Sequence, residues 1–577
     1  MQLSAVHYLL HTLEEVGVTH IFGVPGGPLV PLYEALAERQ HIQPILAKHE
    51  EGAAFMAEGY ARVRRGLGVC FGTSGPGSTN ALTGVASAYS DSIPLLFLSA
   101  QVSTSAFGKG AAQDSSGGHW NLDIVDIFRS ATKLSTMLTS AQQMPHLTQR
   151  VLRTALTGRQ GAVHLNVPAN LMKQQIAITG NPYTAKFCSQ AKPAGDPRII
   201  AQMAERLCAA KHPVIFAGHG VNLAGAWKPL LRIAETLQIP VATTTKGKSA
   251  FPEDHALSLG VFGLGGGPFS SAYLLSDEVD TLVIIGTSMG ELQTNGWNQK
   301  LSSGRTVLQI DIDPQEIGKN YPVDMSIVGD ADVVLSALAD QINLSAPVTP
   351  PNNGWLLKRT QAEHQHIYKA EALQGSSPLL KPQALVARMS EIVPAETLLF
   401  VDNSSCLSWA GQFYVAREPG TVFIALNLAS IGYAGAASIG GKIAAPERPV
   451  IALLGDGAFG MNGMELHTAA EYNIPVIWVV LNNGGHGMVY TGEKLICGQA
   501  FSSVFHRPLD IATIARGLGV EAYKVNTLDE FTFSLGKALQ ERKPCVIDAC
   551  VDLEQVPYAL QRRVQTLNSF FGQENSK

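Results

Sequence analysis

The chain has 577 residues, 46% of them hydrophobic, and a formal net charge of −5. That length suggests about three to four domains, the apolar content supports large α/β cores, and the charge balance supplies no basic footprint for nucleic acid. Seven cysteines, at 70, 188, 208, 406, 497, 545 and 550, show no CxxC or Cys/His spacing, which argues against a zinc site or a disulfide framework.

The first residues run straight into an amphipathic helix that Ser4 can cap and that extends to Val16. With no basic segment before an apolar one and no apolar run of transmembrane length, a soluble, cytoplasmic protein without membrane partners is expected. Strands are then predicted over 20–24, 42–47, 68–71 and 94–99. The first three end in turns or caps rich in chemistry: Pro25-Gly26-Gly27-Pro28, Lys48-His49-Glu50-Glu51-Gly52 and Thr73-Ser74-Gly75-Pro76-Gly77-Ser78-Thr79-Asn80. Helices follow each, the last running to Ser90, and a Gly/Ser/Ala-rich loop spans 102–120. Helices alternating with strands that end in Gly-rich loops describe a doubly wound parallel sheet, here over 1–180.

Residues 175–195, with Gly180-Asn181-Pro182 and Lys192-Pro193, read as a linker. A second α/β domain is predicted over 195–343, with a helix over 199–210 and strands over 213–217, 241–245, 281–285 and 306–312. Gly218-His219-Gly220 and Gly263–Gly267 are Gly-rich, but neither fits GxGxxG with an acid about 20 residues on, so both are read as turns. A linker is expected over 344–380 and a third domain over 381–560, where the strand over 398–401 ends at Asp402-Asn403-Ser404-Ser405-Cys406.

The densest signal is 450–488. Val450–Leu454 is apolar and turns at Gly455-Asp456-Gly457-Ala458; a helical pattern puts Met461, Met464, Leu466 and Ala470 on or near one face; Val476–Leu481 ends at Asn482-Asn483-Gly484-Gly485. This is a βαβ unit, and its right-handed crossover places Asp456 and Asn483 as neighbours at one sheet edge. A carboxylate, an amide oxygen and a backbone carbonyl are hard ligands suited to Mg²⁺ with phosphate oxygens completing the shell. Cys545 and Cys550 read as core residues of a late strand.

GDG followed by NN resembles the thiamine diphosphate motif. The segments IFGVPGGPLVPLYEAL, KHEEGAAFMAEGYAR, TSGPGSTNALTGVASAYSDSIPLL and GAAQD are similar to the pyrimidine-binding domain of the acetolactate synthase family over most of that domain, and QIDIDPQEIGKN resembles the family's central domain. The resemblance implies an α/β protein of three doubly wound parallel-sheet domains: pyrimidine-binding, central and diphosphate-binding. It implies thiamine diphosphate and Mg²⁺, the metal held by Asp456, Asn483 and the Gly485 carbonyl. Glu50, the first acid after the histidine, is the carboxyl that would meet the aminopyrimidine, with Glu51 an ordinary helix-start acid. Gly26, Gly27, Pro76 and Asn80 line the family's pyrimidine and substrate pocket, and Gln113 matches a Gln near the reacting carbon. Ser404, Ser405 and Cys406 fall on the diphosphate loop, with Cys406 a small loop residue. Ala429 and Ile431 match the turn whose bulky apolar residue props the thiazolium. Gly455, Gly457, Ala458, His486 and Met488 complete the cofactor set.

The implied reaction is decarboxylation of a small 2-oxo acid, pyruvate foremost, and ligation of the remaining fragment to a second carbonyl. An acetyltransferase, a simple decarboxylase and a non-enzymatic thiamine-binding remnant are the alternatives. FAD-containing members carry an arginine-rich run where this chain has Ser288-Met289-Gly290-Glu291-Leu292, so FAD is not expected. The family pattern implies a homodimer or homotetramer with active sites between subunits.

Overall fold

The alternation of apolar strand, Gly-rich turn and helix is realised three times. A computed structural model describes residues 2–39, 41–178, 191–344 and 354–570. The N-terminal sheet comprises β1 (His20–Gly23), β2 (Gln43–Leu46), β3 (Gly68–Gly72), β4 (Leu95–Gln101), β5 (Ser135–Met137) and β6 (Val163–Pro168), in the order β2-β1-β3-β4-β6-β5. The central sheet comprises β7 (Pro213–Ala217), β8 (Val241–Thr244), β9 (Ser258–Phe262), β10 (Thr281–Ile285), β11 (Thr306–Asp311) and β12 (Met325–Val328), in the order β9-β8-β7-β10-β11-β12. The C-terminal sheet comprises β13 (Leu398–Val401), β14 (Val422–Ile424), β15 (Val450–Gly455), β16 (Ile477–Asn482), β17 (Glu521–Val525) and β18 (Cys545–Cys550), in the order β14-β13-β15-β16-β18-β17.

All neighbouring strands within these sheets are parallel. Inner strands such as β4, β10 and β15 are buried along their length because helices cover both faces, which is why they read as unbroken apolar runs. Each sheet switches its strand order near the middle, between β1 and β3, between β7 and β10, and between β13 and β15, and the N- and C-terminal sheets also swap their last two strands at one edge. Such reversals open crevices at the carboxyl ends of strands. Among the described residues no helix is long and apolar enough to cross a membrane.

The N- and C-terminal domains share a core. The Glu50–Arg64 helix packs on the Tyr433–Ala444 helix through Phe55, Met56, Tyr433 and Ala437, all fully buried. Small residues permit the approach: a Cβ on Gly440 would overlap the Met56 carbonyl oxygen, and one on Gly59 would overlap that of Ala437. Gly440→Ala is therefore expected to lower the melting temperature, with overpacking costing about 1–3 kcal/mol; an unchanged unfolding curve would contradict this packing. Buried Glu465 accepts the Lys48 N–H at 3.0 and 3.1 Å, the His49 N–H at 3.0 Å and the Thr468 hydroxyl at 2.7 Å. Its carboxyl thereby ties the C-terminal domain to the backbone just before Glu50.

A buried ionic junction joins all three domains. Arg62 donates to Glu58 at 2.6 Å and to Asp91 at 2.7 Å. Asp91 also accepts Lys246 Nζ from the central domain at 2.9 Å, and the Leu426 and Asn427 N–H groups from the C-terminal domain at 3.2 Å.

Several sequence expectations are corrected. The linker predicted from 175 begins with a strand, Gln175–Ala177, paired antiparallel with Gln2–Ser4; burial of Ile176 ties it to the domain core. Gly180-Asn181-Pro182, Cys188 and 345–353 lie outside the described residues. The polar helix and loop expected after the linker stretch 345–353 appear as helices Gly354–Glu363 and Ala370–Gln374, held by buried Leu356 in the central core and Ala370 in the C-terminal core. The helix expected to reach Ser90 is split into Pro76–Asn80 and Leu82–Ser90. The predicted single helix after Asp456 divides into Asp456–Asn462 and Glu465–Glu471. That break leaves Met461 and Met464 at 55% and 58% exposure, while Leu466 and Ala469 turn inward. Cys545 is buried, but Cys550 is only half-buried.

Candidate functional site

At the reversal between β13 and β15 lies a cavity of about 230 Å³. Asp456 organises it. Expected in a turn, it is instead the first residue of a helix that begins directly as β15 ends. Its Oδ1 accepts the Gly457 N–H at 2.9 Å, and its Oδ2 accepts the N–H groups of Gly484 and Gly485 at 2.7 and 3.0 Å. The crossover thus brings the GDG and NN turns into hydrogen-bond contact. Burial pushes the Asp456 carboxyl up to about 6, against the pull of these three bonds. The neighbouring Asn483 Oδ1 is buried without a hydrogen-bond partner.

The other walls are set by Asp402, which is fully buried at the end of β13. It accepts the Gly432 and Ala434 N–H groups at 3.0 and 2.8 Å, and burial pushes its carboxyl up to about 6. Asn403 donates to the carbonyls of Ala425 and Ser430 at 2.5 and 2.9 Å. Together they hold the turn in which Ala429 and Gly432 have φ of 59° and 89° and from which Ile431 reaches the cavity. Ser404 caps the Ser405–Phe413 helix by accepting the Cys406 N–H at 3.2 Å. Cys406 is therefore in a helical first turn, not a loop, and burial pushes its thiol up to about 12, leaving it protonated and a poor nucleophile.

The N-terminal residues gather at the reversal between β1 and β3. Glu50 is buried at the first position of its helix and accepts Asn80 Nδ2 at 3.0 Å. Its Oε1 lies 2.9 Å from where a Cβ on Gly77 would stand, so that glycine makes room for the carboxyl. A Cβ on Gly26 would overlap the Thr73 side chain, whereas Gly27 faces open space. Pro76, Asn80 and Gln113 are exposed. Gln113 has φ 63° and lies against Gly75, itself at φ 64°. Glu51 stands in the first turn of the same helix and, in addition, is paired across the domain boundary with Asn462 Nδ2 at 3.4 Å, and burial raises its carboxyl.

Ser404, Ser405, Cys406, Ile431, Gly455–Ala458, Asn483, Gly485, His486 and Met488 all line the cavity; Ala429 does not. Gly26, Gly27, Glu50, Pro76, Asn80 and Gln113 do not line it either. Within one chain the predicted residues form two groups. His486 packs over the first helical turn, its Nδ1 lying 2.6 Å from where a Cβ on Gly457 would be, with Phe505 edge-on at 5.3 Å. Trp409 and the segment Val551–Leu553 also line the cavity; no local motif marked them, because the fold alone brings them there.

Three family models match in succession: the N-terminal TPP-binding domain of thiamine pyrophosphate enzymes over residues 3–119, the central domain over 200–338 and the C-terminal TPP-binding domain over 402–549. A probable acetolactate synthase large subunit from Methanocaldococcus jannaschii is 35% identical over 95% of this chain and 92% of its own length. The acetolactate synthase large subunit of Corynebacterium glutamicum is 32% identical over 95% and 87%. The isozyme 3 large subunit of Escherichia coli is 30% identical over 97% of both chains. With two crevices carrying the thiamine-motif residues and this likeness running nearly end to end, the chain belongs to the acetolactate synthase family of thiamine pyrophosphate enzymes.

Proposed function

We propose that the protein decarboxylates pyruvate or a similar small 2-oxo acid and joins the remaining acyl-anion equivalent, two carbons in the case of pyruvate, to a second carbonyl compound, consistent with relatives named acetolactate synthase. The carrying observation is the Asp456–Gly484–Gly485 contact beside the unpartnered Asn483 Oδ1. Among the described residues no cluster of three His, Cys, Asp or Glu side chains could hold a metal alone. One carboxylate, one amide oxygen and the Gly485 carbonyl leave a hard cation's shell incomplete, which suits Mg²⁺ shared with a diphosphate. Asp456, Asn483 and Gly485 would hold the metal, and Ser404 and Ser405 the phosphate oxygens. When bound, thiamine diphosphate supplies the nucleophilic carbon and the electron sink for decarboxylation. Glu50 would exchange a proton with the aminopyrimidine N1′, kept in place by Asn80. Ile431 would press the two cofactor rings into reach of each other, and the buried walls would keep water from the reacting carbon. Product analysis with pyruvate alone, and with pyruvate plus a panel of aldehydes and diketones, tests this: no CO₂ from any 2-oxo acid in the presence of Mg²⁺ and thiamine diphosphate would refute it.

We further infer that each site is completed by a second copy of the chain, the Glu50 group of one meeting the Asp456 group of the other. The separation of the two groups within one chain supports this, as do the exposed apolar side chains of Val489 on the cavity wall and Met461 beside Gly432. Mixing and reassociating inactive Glu50→Gln and Asp456→Ala chains is expected to restore about one quarter of wild-type turnover, since half the dimers then carry one intact site of two. Sites confined to single chains would give no recovery.

FAD is proposed to be absent, because Ser288–Leu292 offers no arginine to a flavin or its phosphates. Stoichiometric flavin absorbance in purified protein would refute this.

A further inference from the structure

The loop that carries Gln113 continues into a hairpin with no part in the two half-sites described above. Ser116 and Asp123 form an antiparallel bridge, the Gly117 N–H donates to the Leu122 carbonyl at 2.9 Å, and the Asn121 N–H donates to the Gly118 carbonyl at 2.9 Å. Buried Asp114 fixes the turn from within: it accepts the Gly108 N–H at 2.9 Å, the Ser116 N–H at 3.1 Å and Asn121 Nδ2 at 2.8 Å. At the tip of this braced turn Trp120 is 92% exposed, with φ 62°, a region that bulky side chains rarely enter. His119 stands edge-on to the indole at 5.5 Å, and Leu122 is exposed beside it. A tryptophan held out into water on a strained, hydrogen-bonded turn differs from the single apolar side chains of an ordinary surface, and such strain gathers at functional sites.

The hairpin is wired to the Glu50 half-site. Buried Ser115, at its base, accepts the Gly75 N–H at 3.4 Å and Gln101 Nε2 at 3.1 Å. Gly75 in turn opens the Pro76–Asn80 helix, whose last residue holds Glu50. On the Asp456 half-site the cavity mouth is also apolar and uncovered: Val489 lines it, Val504 is bridged to Gly485, and both are exposed. The two rims match in chemistry, and the pairing of copies inferred above sets one against the other. Lys109 is the only lysine or arginine over 102–122. Its exposure is ordinary for a lysine, whereas that of Trp120 is not.

We propose that Trp120 is a specificity-determining wall of the acceptor pocket, closing over the partner's Val489 and the partner's Val504, and that the acceptor is an aldehyde with an aromatic or bulky apolar substituent lying on the indole face. The proposal rests on the readings of carboligation and of paired copies. The donor fragment, having lost CO₂, bonds through its acyl carbon to the aldehyde carbon, and the aldehyde oxygen takes up a proton, so the product is a hydroxyketone. The indole holds the acceptor and moves no proton.

The test uses the full-length protein saturated with thiamine diphosphate and Mg²⁺, with pyruvate as donor and either benzaldehyde or a second pyruvate as acceptor. Benzaldehyde is expected to be the better acceptor. Trp120→Ala is expected to raise the KM for benzaldehyde by about tenfold, the size of one lost aromatic stack, while the KM for pyruvate as donor moves by less than about twofold. Trp120→Phe is expected to restore most of the difference. In the mixture of Glu50→Gln and Asp456→Ala chains, Trp120→Ala added to the Asp456→Ala chain, which supplies Glu50 to the one intact site, raises the benzaldehyde KM; added to the Glu50→Gln chain, it does not. The reverse pattern places Trp120 over its own chain's cavity and overturns the proposal. Preference for pyruvate as acceptor, lost in Lys109→Met but kept in Trp120→Ala, overturns the acceptor class. Weakened association of copies in Trp120→Ala with an unchanged benzaldehyde KM makes the indole an interface anchor alone and also overturns it. Failure of the readings beneath it shows separately, with Trp120 intact: no CO₂ from any 2-oxo acid removes carboligation, and no recovery in the mixture removes the pairing.

Discussion

Replacing Glu50 by Gln is expected to lower turnover by about 10²- to 10⁴-fold, the range that a positioned acid–base group contributes. Gln keeps the shape and can still accept from Asn80 Nδ2, so the Asn80 contact and the fold survive. What it loses is the ability to exchange a proton at N1′. Thiamine diphosphate should therefore bind within a few-fold of wild type while the cofactor stays inactive. The check is a pair of measurements, cofactor affinity by tryptophan quenching and CO₂ release from pyruvate. A parallel loss of affinity would mean that Glu50 only shapes the pocket, and unchanged turnover would remove it from the mechanism. Glu51→Gln serves as the contrast: its partner is Asn462, so its effect falls on domain docking and melting temperature rather than on kcat.

Asp456→Ala has the second large effect. It removes a cation ligand and, at the same time, the acceptor for the Gly457, Gly484 and Gly485 N–H groups. Loss of a groups-orienting contact alone weakens metal sites by about 10- to 100-fold, and here the ligand itself goes as well, so Mg²⁺-dependent cofactor binding should fall by about 100-fold or more. Asp456→Asn separates the contributions: its amide oxygen can still accept from one or two of these N–H groups but carries no charge. Binding that recovers with Asn would make the carboxylate's role structural; binding lost in both variants makes it electrostatic. Isothermal titration with thiamine diphosphate at several Mg²⁺ concentrations distinguishes these cases.

Much of the C-terminal half-site could be read in advance because it depends on local rules. A strand, a Gly-rich break, a helix and a second strand leave one crossover geometry, so Asp456 had to face the Asn483 turn. What escaped the reading depends on contacts between distant segments. Asp402 reads as one more polar residue of a phosphate loop, yet its carboxyl is spent on the Gly432 and Ala434 N–H groups. Met461 and Met464 share a helical spacing of three, but Leu466 is only two residues beyond Met464 and so falls off their face, and the break at 463–464 further separates the exposed methionines from the buried Leu466. Glu465 has no motif; its value comes only from meeting Lys48 and His49 of another domain. The division of the predicted site into two groups was likewise implied by the resemblance alone, since no spacing within one chain encodes which copy supplies which residue.

The buried junction at Asp91 has a bearing on how this protein could be taken apart or recombined. One carboxylate there answers to Arg62 of its own domain, Lys246 of the second and two backbone groups of the third. Three sheets that look interchangeable in topology are thus not interchangeable parts. A chimera that imports the central domain from a relative lacking a lysine at this position would leave Arg62 and Asp91 with an altered charge balance inside the protein, where an unmatched ion is strongly destabilising. Successful domain exchange would have to carry Lys246, Asp91 and the 424–427 segment as a single inherited unit.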